Sequence, residues 1–145
     1  MPDKTIKFEI VTPEKVVLEE DISQVTVPSK EGEITVLPKH TPLIVGLKPG
    51  VIELINKKGE IRIMSISGGF IEVLRNKVVI LADSADRAEE LDEKEIEKAK
   101  KRAQESLKDL RHFDQERFTN ISAQITRELA KTKALERWKN VNSRR

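Results

Sequence analysis

What the second part of this chain lacks constrains it most: all six glycines and all six prolines fall before residue 70. Glycine supplies backbone conformations that other residues avoid, and proline blocks helices and ladder hydrogen bonds. A chain punctuated every few residues in one part and unbroken in the other is expected to fold as two kinds of structure in sequence order.

From Thr5 to Ala82 the pattern is short β-rich runs. Ile6, Phe8 and Ile10 alternate with polar neighbours, as do Val25 and Val27, and then Ile34 and Val36. Such alternation puts one strand face on a core and the other in water. Val78-Val79-Ile80-Leu81 is continuous, the pattern of a strand buried on both sides. Lys48-Pro49-Gly50 reads as a turn and Lys57-Lys58-Gly59 as a hairpin loop. Gly68-Gly69 reads as a tight bend. About nine strands at this spacing predict an antiparallel sandwich or flattened barrel.

The pattern changes between Asp83 and Asp92, where Asp83 to Ala88 reads as a polar linker. Leu91, Ile96, Ala99, Ala103, Leu107 and Leu110 then recur at helical steps, with Glu89, Glu90, Asp92 and Glu93 at the helix start, where the dipole favours negative charge. Asp114 is placed to cap a second helix, whose stripe runs through Phe118, Ile121, Ile125 and Leu129 and less regularly through Ala134, Leu135 and Trp138. Two narrow stripes with a short join predict an antiparallel hairpin. Because the stripes are rich in alanine, this hairpin buries little area and is expected to detach at modest cost; the plainer expectation is a helical pair packed permanently on the sandwich. The whole is α+β, an N-terminal β-sandwich over 1–87 and a C-terminal two-helix hairpin over 88–145.

Nothing in the chain assembles into a catalytic group. There is no cysteine, and His40 and His112 lie in different halves without ligand spacing, so neither a zinc site nor any other metal site is expected. Ser67-Gly68-Gly69 follows a strand but does not lead into a helix, which excludes a nucleophile elbow and a phosphate loop. No apolar run is long enough to span a bilayer, and no signal-peptide pattern follows Met1. A net charge of +2 is too small to argue for nucleic acid. Residues 113–145 nevertheless carry eight Lys and Arg against four acids, a surplus of four. That surplus reads as a solvated helix face, as attraction to an acidic partner, or as contact with RNA, the last with little aromatic interleaving to stack bases. His40 between Pro38 and Pro42 reads as a surface or packing residue, although the charged, stiff segment from Glu31 to Thr41 suits a docking edge. These features describe a binding or coupling protein.

The ordered motifs narrow this further. Val11-Thr12-Pro13-Glu14-Lys15, Val27-Pro28, Glu31-Gly32-Glu33 and Leu37-Pro38-Lys39-His40-Thr41-Pro42-Leu43 resemble the epsilon subunits of bacterial and plastid ATP synthases. Leu47-Lys48-Pro49-Gly50, Ser67 to Val73 and Ala82 to Asp92 continue the resemblance over nearly the whole chain. It implies a sandwich of about ten strands that binds the gamma subunit and rests on the c-ring, with Glu31, Glu33 and His40 at the ring-facing positions. Thr35 departs from the glycine usual there, so the local backbone path is in question. It also implies a hairpin that folds on the sandwich or extends along gamma into the catalytic alpha/beta hexamer, where it brakes ATP hydrolysis. Arg127, Lys131, Lys133 and Arg137 are the candidates for meeting acidic segments of the hexamer.

Some members bind ATP on the folded hairpin through an Ile/Leu-Asp-x-x-Arg-Ala motif. Leu91 and Asp92 match it, but Glu95 and Ile96 replace the Arg and Ala, which sets a carboxylate where a polyphosphate needs a cation. Asp86 and Arg102 match other positions of that site. ATP binding is expected to be weak or absent, and no cofactor is expected. The resemblance implies a non-catalytic rotor subunit at the cytoplasmic face of the bacterial plasma membrane, linked to the membrane only through the complex. Two alternatives stay open: the same subunit with a passive hairpin, and a free adaptor for an unrelated acidic partner.

Overall fold

A computed structural model describes residues 5–110 and 114–143. His112, and Arg144 and Arg145 of the basic tail, lie outside them. The punctuated part forms β1 (Ile6–Val11), β2 (Val16–Ser29), β3 (Gly32–Val36), β4 (Leu43–Leu47), β5 (Gly50–Asn56), β6 (Ile61–Ile66), β7 (Gly69–Val73), β8 (Lys77–Ala82) and β9 (Ala85–Arg87). Nine strands are thus present among the described residues, where the resemblance implied about ten. Strand β1 pairs with β8 in parallel; the other pairings are antiparallel.

Strand β2 organises the sandwich because it is long enough to serve both layers. Its first half pairs with β1, which continues the layer β4-β7-β8-β1, and its second half pairs with β3 and β5, which continues to β6 and β9. Inward-facing Phe8, Ile10, Ile22, Val25, Ile52, Leu54, Met64, Ile71 and Ile80 are each 0–1% exposed and form one core between the layers. The alternation seen in the sequence thus corresponds to a real inside and outside. The bend before β7 requires glycine: Gly69 has φ 141°, and a Cβ there would lie 2.1 Å from the Leu81 carbonyl oxygen.

Two expectations change here. The run Val78 to Leu81 is buried on one face only: Val78 and Ile80 are 0% exposed, whereas Leu81 is 54% exposed. Its outward side chains are apolar, yet among the described residues no element covers Leu81. The supposed linker is partly ordered into the sheet, since β9 pairs Asp86 with Ser65 on β6.

After one turn of 3-10 helix (Ala88–Glu90), α1 (Glu93–Lys108) and α2 (Gln115–Ser143) form the hairpin. The Asp92 side chain caps α1 by accepting from the Lys94 N–H at 2.9 Å, and Asp114 accepts from the Arg117 N–H at 3.2 Å. Helix α2 packs on β5, β6 and the 3-10 turn, while α1 packs mainly on α2. By helix rise α2 is about 43 Å long and α1 about 24 Å. Lys139 pairs with Glu93 across the hairpin, which sets the register and carries the start of α2 past the end of α1.

That register corrects the second apolar stripe. Phe118, beyond the level of α1, is 44% exposed, and Leu129, off the seam, is 46% exposed; the buried positions of α2 are Glu128, Ala130, Ala134 and Leu135.

Candidate functional site

The sandwich has two outer faces, and among the described residues only one is covered. On the β5–β6 face, Val51 and Ile61 are half-buried and Ile63 is buried under α2. They join Ala88, Ala134, Leu91, Trp138 and Val141 in a small second apolar cluster. In that cluster Ile63, Ala88 and Ala134 are the fully buried members, against eighteen in the main core. Hydrophobic attachment scales with area removed from water, so this foot holds far less firmly than the core.

Charges border the foot. Arg137 Nη1 donates to Glu53 Oε2 on β5 at 3.3 Å, and Lys139 Nζ donates to Glu93 Oε2 at the start of α1 at 2.8 Å. The Lys139 hydrogen bond, with its charge in second place, holds the Glu93 carboxyl below the ordinary glutamate range. Lys131 pairs with buried Glu128 at 3.3 Å, within α2. Of the four basic candidates, Arg137 and Lys131 therefore have acidic partners in the folded hairpin, whereas Arg127 and Lys133 are exposed.

The opposite face, built from β4, β7, β8 and β1, is covered by none of the described elements. The strand registers line up Gly46, Phe70, Leu81, Val11 and Val16 in one row across five strands. Phe70 is 57% exposed, Leu81 54% and Val16 51%, and Ile44 in the neighbouring row is 70% exposed. Ile44's row also carries Glu72 and Glu9, so the apolar surface is a stripe through Phe70, Leu81 and Val16, and an exposed stripe of this kind marks a docking site. Sequence reasoning passed over these residues; the signal for them was the unbroken run Val78 to Leu81, which implies an apolar outer face.

The ring-facing candidates do not share one loop. Glu31 lies in the β2–β3 turn, where its N–H donates to Ser29 Oγ at 3.2 Å, and Glu33 lies on β3 opposite Pro28. His40 follows the far end of β3, in a separate loop where Nδ1 donates to the Thr41 carbonyl at 2.7 Å. Glu33 instead lines a groove of about 480 Å³ with Lys48, Lys133, Glu136 and Arg137, at the seam between sandwich and hairpin. His40 lines a different cavity with Lys39 and Arg75.

The four nucleotide candidates lie along successive elements. Asp86 sits on β9, Leu91 belongs to the foot, Asp92 caps α1, and exposed Arg102 lies roughly 15 Å further along that helix. The small cavity between the helices, lined by Glu93, Ile96, Thr132 and Lys139, takes in none of them. Among the described residues no cluster of three metal-ligating side chains occurs, and no helix is long and apolar enough to cross a membrane.

Comparison with known proteins agrees with the architecture. Residues 5–88 match the family of the ATP synthase delta/epsilon chain, beta-sandwich domain. The ATP synthase epsilon chain of Herpetosiphon aurantiacus is 47% identical over 104 residues, 72% of this chain and 76% of that one. The epsilon chain of Alkalilimnicola ehrlichii is 35% identical over 133 residues, covering 92% and 94%. Among solved structures, a chain of the Euglena gracilis mitochondrial ATP synthase, in its OSCP/F1/c-ring assembly, superposes with a TM-score of 0.77 at 25% identity, covering 91% of this chain and 82% of that one. With a family match over more than half its length and relatives this similar along nearly all of it, the chain belongs to the epsilon chains of the ATP synthase delta/epsilon family.

Proposed function

We propose that the chain is a rotor subunit of the central stalk of a proton-translocating ATP synthase. In this reading the sandwich fixes gamma to the c-ring, and the hairpin leaves the sandwich to brake ATP hydrolysis in the alpha/beta hexamer. The subunit itself is non-catalytic. It sits at the cytoplasmic face of the bacterial plasma membrane, held there through the complex.

One observation carries the reading: both outer faces of the sandwich carry apolar side chains, but one lies under a thinly attached helix and no described element covers the other. The bare face, around Phe70, Leu81 and Ile44, suits a permanent partner such as gamma, because apolar area exposed in the free chain is buried on assembly. The capped face suits a reversible contact, because an alanine-rich foot with exposed ion pairs separates two states by only a few kcal/mol. Glu31, Glu33 and His40 are assigned to the ring-facing side, with Glu33 at the hairpin seam. Arg127, Lys131, Lys133 and Arg137 are assigned to the braking contact.

The test is ATP hydrolysis by the cognate hexamer–gamma complex with the full chain or with a truncation ending at Ala88. Both forms are expected to bind, and only the full chain to slow hydrolysis. Binding by both without slowing by either establishes a passive hairpin, and binding by neither overturns the rotor assignment. Glu95 and Ile96 stand where the nucleotide-binding members carry Arg and Ala, which removes a cation and adds a carboxylate, so titration calorimetry is expected to show no micromolar ATP binding.

A further inference from the structure

We propose that the folded hairpin is held by an ionic latch, Arg137 to Glu53 and Lys139 to Glu93, that occupies Arg137 and thereby withholds it from any acidic partner. This deepens the reading above, since it rests on the hairpin being able to detach. It names the contacts that set how readily it does so.

The placement of the two pairs supports the assignment. Residues 137 and 139 flank Trp138, whose ring belongs to the foot, so the pairs bracket the apolar attachment of α2. One pair ties α2 to the sandwich and the other ties it to the first turn of α1, close to where the hairpin leaves β9. The latch therefore acts at the base of the hairpin, where a small opening swings the distant helix ends through a large arc. Neither pair is shielded from solvent: Arg137 and Glu53 side chains are 43% and 32% exposed, and Lys139 and Glu93 52% and 68%. The groove of about 480 Å³ beside Arg137 admits water and ions, and it brings Lys48, Lys133, Glu33 and Glu136 near the pair.

Exposed pairs like these shift an equilibrium by about 1.5- to 5-fold each. In a molecule whose states differ little, two such shifts are enough to change which state dominates. A competing carboxylate surface needs no separate trigger: Arg137 forms its pair with Glu53 or with the partner. Engagement of an acidic partner and release of the sandwich are thereby one exchange of ion pairs, sensitive to ionic strength.

The experiment uses the full chain and measures hydrogen exchange of the α2 amides from Ala134 to Val141. The parent is compared with the Glu53→Gln/Glu93→Gln double variant. At roughly 10 mM salt, where the Debye length is about 30 Å, the variant is expected to exchange up to about tenfold faster. At about 1 M salt the two proteins are expected to converge, as screening removes the latch from the parent. The charge swap Glu53→Arg/Arg137→Glu is expected to restore slow exchange at low salt. Equal exchange at low salt overturns the latch, and so does a difference that persists at high salt, because the contacts would then act by packing. The same double variant in the hexamer–gamma complex separates the two ideas. Faster exchange with stronger braking upholds both; faster exchange with unchanged hydrolysis upholds the latch and counts against the brake.

Discussion

The interior of the sandwich and the seam beneath α2 are both apolar, but they differ in how much they bury and in what borders them. Between the sheets, large β-branched and aromatic side chains interlock with near-complete burial, and no charge is needed to hold the layers together. Beneath α2, Ile63 is the large buried side chain among alanines, and ion pairs stand at the rim. The first interface is built to be permanent. The second is smaller and more exposed, as the reversible contact proposed for the hairpin requires.

The comparison is open to direct attack. Phe8→Ala opens a cavity in the main core and is expected to lower global stability by about 3–5 kcal/mol in urea unfolding, with every strand affected together. Ile63→Ala is expected to cost about 2 kcal/mol, felt as faster hydrogen exchange in α2 with the β1 and β8 amides unchanged. If β1 and β8 loosen equally, the two interfaces are one cooperative unit and the contrast fails. Asp92→Ala removes the cap of α1 and is expected to cost about 1 kcal/mol, visible as lost helical circular dichroism at intermediate urea. Leu81→Glu is expected to alter the stability of the free chain by less than about 0.5 kcal/mol, because this side chain already meets water, while weakening capture by the gamma subunit.

The smallest effect is that of pH. The Glu93 carboxyl titrates below its unfolded value of 4.5, so its contribution is fully present above that pH and is lost as pH falls through the lower folded value. Hairpin exchange is therefore expected to be flat from neutrality to about pH 5 as far as this group is concerned. The part of any acceleration below that which Glu93 causes is expected to be missing in Glu93→Gln.

Much of the fold was legible because it depends on local rules. The alternation at Ile6, Phe8 and Ile10, the turn at Lys48-Pro49-Gly50, the bend at Gly68-Gly69 and the cap at Asp114 were each readable within a few residues. What periodicity cannot report is whether an apolar face is covered. Val78 to Leu81 has the pattern of a strand buried on both sides because its outer face is apolar, yet Leu81 is left to solvent. Phe118 and Leu129 fit a helical stripe, but they lie past or beside the neighbouring helix once the register is set. The charged seam was still less readable: Arg137 and Glu53 are 84 residues apart, and Lys139 and Glu93 are 46 apart, distances over which no local pattern links a cation to its partner. The resemblance supplied candidates for the ring-facing and nucleotide positions, but it did not show that Glu33 and His40 line different cavities, or that Asp86 and Arg102 lie on different elements.

The most direct test of the account is to lock the hairpin shut. The chain has no cysteine of its own, so Ile63→Cys and Ala134→Cys, both within the foot, provide an isolated thiol pair. Joined by a disulfide or a short bis-thiol linker, they hold α2 on the sandwich while leaving the bare face free. Hydrolysis by the hexamer–gamma complex would be measured before and after reduction of the disulfide. The account predicts that the locked chain binds but does not brake, and that reduction restores braking. A locked chain that brakes as strongly as the reduced one would show that the hairpin never needs to leave the sandwich, and would contradict the account.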